Sequence, residues 1–267
     1  MIHARATFTP AVKLLVLNCS ALLVLPQVST AGQKKSVRED LAEAERTGNY
    51  SLAAVTVERN GEVWVASVSN RGGMWVKVKR PLNKEHLNSP DGKREVVYRH
   101  GLRLLDADSH QERLIDADGS CWHQCWAPDS RRLVYSSGGR VRIYDVVSGA
   151  ITDLAEGESA RWSPDGKWIE FEFKNNFCVV SPTGGASRQI FKSKSAYGVS
   201  WSPDSRFLSY IKLGGSSGGF FIWGMKCPEP YRVWVVRVDD WAADWVQNTC
   251  KPGFPFEWVK NSDLVGQ

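Results

Sequence analysis

The sequence has little of what marks a membrane protein or a nucleic-acid-binding protein. Beyond its first 31 residues it contains no apolar run approaching the roughly 20 residues that a membrane-spanning helix needs. Its 34 Lys and Arg against 29 Asp and Glu give a net charge of only +5, and no Lys/Arg cluster forms a basic stripe. We therefore expect no stable membrane span after the N-terminal region and no nucleic-acid partner.

Motifs of the common catalytic and cofactor sites are also missing. The chain has no His-Glu-x-x-His pair, no phosphate-binding loop and no dinucleotide fingerprint. A Gly-x-Ser-x-Gly pattern at 214–218 lies in a Gly/Ser run that lacks the helix following a nucleophile elbow. We expect no catalytic constellation, no metal and no cofactor.

The first 31 residues have the pattern of a secretory signal peptide. Arg5 and Lys13 supply its positive charge, 14–25 is an apolar run of about 12 residues, and Ser-Thr-Ala at 29–31 is a cleavage pattern. We predict cleavage after Ala31 and a mature chain that is periplasmic or secreted. An uncleaved anchor helix is the alternative, although the run is short for one.

Repeated segments dominate the remainder of the chain. WAPDSRRLVY begins at Trp126, WSPDGKWIEF at Trp162 and WSPDSRFLSY at Trp201, and weaker copies begin at Asn88 and Trp258. Successive copies are 38, 36, 39 and 57 residues apart. Apolar and polar residues alternate between them, which is the period of β-strands. Four short strands per unit of about 40 residues indicate a β-propeller blade.

The conserved spacing within the repeat has a structural explanation. Pro presets the backbone of a tight turn between the first two strands, Asp bonds back to the local backbone, and Trp fills the space between blades. We therefore assign a structural role to the repeat positions Trp126, Pro128, Asp129, Trp162, Pro164, Asp165, Trp201, Pro203 and Asp204.

These repeats resemble the TolB-like propeller repeat, a relative of the WD repeats. The resemblance extends from about residue 52 to the C-terminus and implies an all-β propeller of four-stranded antiparallel blades. Similar repeats occur in the periplasmic TolB protein and in the propeller domains of serine peptidases. The family therefore includes both binding proteins and enzymes.

Counting strands favours five blades. Residues 52–58 have no first strand before them, and the strand ending near Trp258 can supply it, so that both chain ends share a blade. Six blades are the alternative, with 263–266 in an incomplete sixth. The predicted domains are a signal peptide at 1–31, a short capped helix and linker at 32–50, and the propeller at 51–267.

The 57-residue spacing contains an insertion at about 214–230. The insertion is rich in glycine and carries Phe220, Phe221, Trp223 and Met225, which are candidate partner-binding residues because aromatic and Met side chains contribute strongly to interfaces. The alternative is a local lid that packs on its own blade.

The mature chain keeps five cysteines. Cys227 in the insertion and Cys250 in the loop 247–253 share one face of the propeller, so we predict a disulfide between them. Cys121 and Cys125 are too far apart in a strand to bridge. Strand alternation places both on one face with His123, which makes a metal site a second possibility there, whereas Cys178 is expected in the core.

Two functions follow from these observations. The first is a non-enzymatic exported propeller that acts as a protein-binding scaffold in the cell envelope, with another envelope protein as its partner. The alternative is a propeller-type lyase or hydrolase acting on a polysaccharide or a peptide. An enzyme should gather His, Arg and acidic residues at one end of the ring, which distinguishes the two.

Overall fold

The computed structural model describes residues 34–48, 50–59, 62–67, 76–78, 87–118, 121–192, 196–213, 220–222, 225–227, 231–249 and 257–265. By its internal contacts the chain divides into Met1–Lys34 and Lys35–Gln267, and every element below belongs to the second unit. No helix in these ranges is long and apolar enough to cross a membrane.

One helix and 22 strands follow in chain order. They are α1 (Val37–Thr47), β1 (Tyr50–Arg59), β2 (Glu62–Ser67), β3 (Val76–Val78), β4 (Arg94–Tyr98), β5 (Leu102–Asp106), β6 (Glu112–Asp116), β7 (Trp122–Trp126), β8 (Arg132–Ser137), β9 (Arg140–Asp145), β10 (Ile151–Glu156), β11 (Glu158–Trp162), β12 (Ile169–Phe173), β13 (Asn176–Val180), β14 (Arg188–Lys192), β15 (Ala196–Trp201), β16 (Phe207–Leu213), β17 (Phe220–Ile222), β18 (Met225–Cys227), β19 (Tyr231–Arg237), β20 (Ala243–Thr249), β21 (Glu257–Lys260) and β22 (Leu264–Val265), with a single 3-10 turn at Asn261–Asp263.

The strands form five antiparallel sheets and one separate hairpin. Sheet A has the order β21-β1-β2-β3-β22, sheet B is β4-β5-β6, sheet C is β7 to β10, sheet D is β11 to β14, and sheet E is β15-β16-β19-β20. The hairpin β17–β18 is a two-stranded sheet of its own. The architecture is therefore all-β, built mainly from four-stranded antiparallel sheets.

Sheet A joins the two ends of the described chain. β21 pairs with β1, so that Leu52 lies opposite Trp258, as the strand count predicted. β22 then adds to the outer edge through the pair of Leu264 with Val78. Of the surplus residues, Leu264–Val265 thus extend the first sheet.

Sheet B is described from its second strand onward, because residues 79–86 lie outside the described ranges. Asn88, the first residue of the weaker repeat copy, forms an isolated bridge with Glu95. The other repeats end their first strand in a Trp, which packs between sheets, whereas Asn88 has no such side chain. The carbonyl of Leu87 instead accepts a hydrogen bond from Trp126 Nε1 at 3.0 Å.

Apolar cores fill the spaces between neighbouring sheets. Each strand contributes alternate residues to two cores, because successive side chains point to opposite faces. Leu133 and Tyr135 of β8 pack against sheet B, whereas Val134 packs against sheet D. Further cores lie between sheets D and E and between sheets E and A. We call these contacts the B/C, C/D, D/E and E/A seams.

Helix α1 packs on the E/A seam. Ser36 and Glu39 form a capping box at its N-terminus, and the helix ends at Gly48. Its apolar face, with Val37 and Leu41, packs into the core shared by Tyr50 of β1 and strand β19. The helix therefore holds the first and last sheets together.

Candidate functional site

The insertion between β16 and β19 forms the hairpin β17–β18. Phe220 pairs with Cys227, and Ile222 pairs with Met225. The hairpin is not part of sheet E, although β16 and β19, which flank it, pair directly with each other. The hairpin thus lies in the chain between β16 and β19, after the C-terminal end of β16.

Only part of the predicted partner-binding set lies in this hairpin as described. Phe220, Phe221 and Met225 occupy strand positions, and Trp223 lies outside the described residues. Cys227 ends β18, whereas Cys250 also lies outside the described residues, so the predicted disulfide remains a prediction.

The Ser-Pro-Asp turns lie at the opposite end of the sheets. In the turn of sheet D, Ser163 Oγ donates to Asp165 at 2.7 Å and accepts from the N–H of Trp168 at 3.0 Å. The turn at Ser202 repeats these bonds with Asp204 and Phe207.

In the turn of sheet C, a different side chain accepts the hydrogen bond from the corresponding backbone N–H group. Ala127 stands in place of the serine, and Asp129 accepts from the N–H groups of both Arg131 and Arg132. The aspartate therefore takes over a backbone donor that the serine hydroxyl satisfies in the other copies. The repeated Asp residues act in the turns.

Neighbouring turns also bond to one another. The N–H of Asp91 donates to Ser130 Oγ at 3.1 Å, and the N–H of Asp165 donates to Ser205 Oγ at 2.9 Å. At the end of the series, Tyr50 donates to Asp204 at 2.6 Å. We call this end of the molecule the turn face and the end that carries the hairpin the insertion face.

The repeat tryptophans lie in the seams. Trp126 belongs to the B/C core, Trp162 to the C/D core, Trp201 to the D/E core and Trp258 to the E/A core. Trp258 Nε1 donates to the carbonyl of Ser200 in the neighbouring sheet at 3.1 Å. Each indole thus packs its own sheet against the preceding one.

A cluster of charged residues interrupts the apolar D/E seam. On β12, Glu170 lies opposite Arg161 of β11, and Glu172 lies opposite Glu158. Glu170 is 3% exposed, and its Oε2 has no hydrogen-bond partner. Arg161 Nη1 donates across the seam to the carbonyl of Val199 on β15, at 3.3 Å.

Within this cluster Glu170 is buried, Glu172 is half-buried, and Glu158 and Arg161 are exposed. Burial raises the pKa of Glu170 to about 7; Arg161 opposes that shift and Glu172 adds to it. The pKa of Glu172 is also raised, first by burial and then by Glu158. A proton therefore binds to this seam far more readily than to an exposed glutamate.

The sequence carries a signal for this cluster in one of its alternating segments. Glu170-Phe171-Glu172-Phe173 alternates as an exposed strand would. The second strand of a propeller blade is covered on both faces, so one of the two faces must bury glutamates. Arg161 and Glu158 could not be placed beside them without the strand register.

The strand alternation assumed for Cys121, His123 and Cys125 is wrong. His123 has a φ of 52°, and the register of β7 shifts between Trp122 and Cys125, which marks a β-bulge. The extra residue changes the face, so Cys121 lies in the B/C core and Cys125 packs against the C/D core.

The cysteines and histidines give no metal centre in the described ranges. There, no group of three or more His, Cys, Asp or Glu could hold a metal ion. Cys121, Cys125 and Cys178 are free thiols, and burial raises the pKa of each. Cys178 is buried in the C/D core, as expected.

Comparison with solved structures identifies propeller-type relatives. The chain is similar to an oligogalacturonate lyase in complex with manganese, with a TM-score of 0.50, 13% identity, and coverage of 72% of this chain and 60% of that one. It is also similar to a protein of Agrobacterium tumefaciens provisionally identified as TolB (TM-score 0.46, 19% identity, 75% and 77% coverage). A third is Porphyromonas gingivalis dipeptidyl peptidase 4 (TM-score 0.42, 13% identity, 84% and 36% coverage).

The likeness to the lyase, with a TM-score of 0.50, supports the propeller fold and goes no further. The chain spans 60% of the lyase and 36% of the peptidase, and all identities are under 20%. No protein-family model matches the sequence, and no curated protein is significantly similar to it.

Proposed function

We propose that this chain is a non-enzymatic, exported β-propeller that binds another envelope protein through its insertion face. The residues that carry the proposal are Phe220, Phe221, Trp223 and Met225 of the insertion. The signal-peptide pattern at 1–31 supports export, with the propeller at 51–267 as the mature binding module.

The hairpin β17–β18 is the observation that supports a binding surface. Its first strand, Phe220–Ile222, consists of three consecutive apolar residues. Consecutive strand residues lie on opposite faces, so this strand has apolar residues on both. A two-stranded hairpin that packs on its own blade can cover one face only. This pattern supports a binding surface over a local lid in the proposal.

The charged cluster in the D/E seam gives the enzyme alternative no site. It combines Arg161 with three glutamates, as a catalytic centre would. However, Glu170 is enclosed between two sheets, with Oε2 exposing less than 1 Å². A substrate could not contact that carboxyl in this arrangement of the sheets, so we assign the cluster no role in catalysis.

We further propose that the five sheets are the blades of a closed ring. The pairing of β21 with β1 and the position of α1 across the E/A seam support this count. In this account β22 is an outer addition to the first blade, and no sixth blade is needed.

The binding proposal is tested by affinity capture from the envelope of the source organism. Wild-type 32–267 is compared with a variant carrying Phe220→Ser, Phe221→Ser and Trp223→Ser. The matched control carries Val147→Ser and Ile151→Ser, which change exposed apolar residues away from the hairpin. We expect one protein to be retained by the wild type and the control and lost from the hairpin variant. Equal retention by all three contradicts the proposal.

The disulfide between Cys227 and Cys250 is tested separately by thiol labelling. We expect both positions to react only after reduction, because the predicted bridge would tie the hairpin to the loop that follows β20. Labelling of both without reductant would exclude the bridge, and Cys178 under denaturing conditions serves as the free-thiol control.

A further inference from the structure

The D/E seam contains a buried carboxyl that the repeat itself does not require. Counted from the repeat tryptophan, Glu170 occupies the position of Val134 in sheet C and of Ser209 in sheet E. Val134 and Ser209 are fully buried, and Glu170 is 3% exposed. The fold thus accommodates a methyl-bearing or a small polar side chain here, and the carboxylate is specific to this seam.

A β-bulge in β11 assembles the charged group around Glu170. Ser159 has a φ of 59°, and the register shifts between Glu158 and Arg161. In a regular strand, residues three apart lie on opposite faces. The bulge places both on the face that carries Glu170 and Glu172, whereas the corresponding bulges at His123 and Gly198 serve sheets without such acids.

The cluster contains one cation for three carboxyls, Glu170 included. Arg161 lies opposite Glu170 on β11, Glu172 lies beside it on β12, and Glu158 lies opposite Glu172. On β13, the neighbour of Glu170 across the strands is the apolar Val179.

Among the described residues, Arg161 is the cation that acts on the ionisation of Glu170. The residues that β15 and β16 contribute to the D/E core are uncharged: Ala196, Val199, Trp201, Leu208 and Tyr210. On the sheet C side, the thiol of Cys125 lies near enough for Glu170 to raise its pKa, after the larger effect of burial.

An ionised Glu170 has no adequate compensation in this arrangement. Its Oε2 has no hydrogen-bond partner, and Arg161 makes no ion pair with it within the described residues. The guanidinium is instead directed to Val199 of the next sheet. A buried carboxylate without a partner is strongly unfavourable, whereas the neutral acid is tolerated.

We propose that the D/E seam is a pH-sensitive contact, closed when Glu170 is protonated and loosened when it loses that proton. On ionisation, the carboxylate draws water and the Arg161 side chain toward itself, which breaks the bond to Val199. Sheet E carries the hairpin between β16 and β19, so a change at this seam is transmitted to the sheet that presents the hairpin. The inference does not depend on the proposed partner.

The direction of the effect follows from linkage. The native state holds the proton more tightly than the unfolded chain, so Glu170 stabilises the fold below the ordinary pKa of a glutamate. That contribution is lost as the pH rises through about 7. The expected change in the unfolding equilibrium constant over this interval is on the order of a hundredfold.

The test uses urea unfolding of the mature chain between pH 5 and pH 8.5, with hydrogen exchange of β11 and β15 at both ends of the range. Wild type is compared with Glu170→Gln, which mimics the protonated acid, and with Glu172→Gln as the matched control. We expect wild type and E172Q to lose stability and protection as the pH rises. E170Q should retain most of both.

Equal pH slopes for wild type and E170Q overturn the proposal, as does a slope removed by E172Q instead. If E170Q does not fold, Glu170→Ser introduces the residue that sheet E carries at Ser209. In the wild type itself, carbon-13 NMR of glutamate carboxyls should show one titration near neutral pH that is absent from E170S. Titration of all glutamates in the ordinary range also contradicts the proposal.

Discussion

The turn residues show how single side chains set the geometry of the repeat. Ser205 lies at the left-handed position of its turn, with a φ of 62°, where the turn of sheet D has Gly166 with a φ of 72°. A serine at this position costs backbone strain. The hydroxyl of Ser205 also accepts a hydrogen bond from the N–H of Asp165 in the neighbouring turn. Strain and inter-sheet bonding are therefore linked at one residue.

Replacing Ser205 separates these two contributions. Ser205→Ala loses the hydrogen bond and keeps the strain, so we expect a loss of about 1–2 kcal/mol in the free energy of unfolding. Ser205→Gly loses the bond and relieves the strain, so its loss should be smaller. Urea unfolding of both variants at one pH measures the difference. Equal losses would show that strain at this position is negligible.

The sequence allows the role of a residue to be predicted where its contacts are local. The turn aspartates and the seam tryptophans follow from the repeat, because their contacts lie within a few residues or recur between copies. The hydrogen bonds of the turn serines were not predicted. Glu170 could not be interpreted in this way. Its environment depends on the register of β11 against β12 and on the bulge at Ser159, which the spacing of residues does not reveal.

At the scale of elements, α1 is held to sheet E by one buried arginine. Arg237 of β19 is 6% exposed; it donates to Asp40 of the helix and, at 2.7 Å, to the carbonyl of Lys35. Asp240 binds the same guanidinium at 2.8 Å and is the first cause of the raised pKa of Arg237. The helix and the last sheet thus share a charged centre beneath the apolar face of α1.

Removing this arginine should detach the helix. Arg237→Gln leaves Asp40 and Asp240 partly buried without their cation, and loss of one partner of such a pair typically costs about 3–5 kcal/mol. The matched control is Arg99→Ala, which breaks the exposed pair with Glu112 and should cost at most about 1 kcal/mol. Thermal unfolding compares them. Equal effects would show that Arg237 contributes no more than a surface contact.

Elements were predicted well where the period was clear and less well where a bulge or a weak repeat intervened. In sheet C the four expected strands are all present, because Pro128 and Gly138 mark the turns between β7, β8 and β9 clearly. The weak repeat copy at Asn88 shows only a bridge to Glu95 among the described residues, and the bulge in β7 reversed the expected face of Cys125. The alternation of polar and apolar residues in the sequence does not by itself reveal an extra residue in a strand.

At the scale of the whole molecule, two sets of carboxyls act in different pH ranges. The Ser89 hydroxyl and the Lys93 N–H lower the pKa of Asp91 in its turn. In Asp165, burial raises the pKa, but bonds from Ser163 and Lys167 outweigh it and lower it overall. These turns therefore stabilise the fold above the ordinary aspartate pKa and lose that contribution in acid, which is opposite in direction to Glu170.

The acid limb of the stability profile should depend on the turns. We expect Asp165→Asn to reduce stability at neutral pH and to make the loss between neutral pH and pH 3 smaller than in wild type, because one proton-linked contribution is gone. The change should leave the slope above pH 6 as it is. Circular dichroism of acid unfolding measures it, and an unchanged acid limb would exclude a role for this carboxylate.

Site-specific photo-crosslinking in the intact envelope tests whether the insertion face binds another envelope protein. A photo-reactive phenylalanine analogue is placed at Phe221 in the hairpin or at Val147, which is 68% exposed on the turn face. We predict one discrete adduct with a single envelope protein from position 221 and none from position 147. Adducts of the same pattern from both positions, or none from position 221 in a folded, exported chain, would contradict the account.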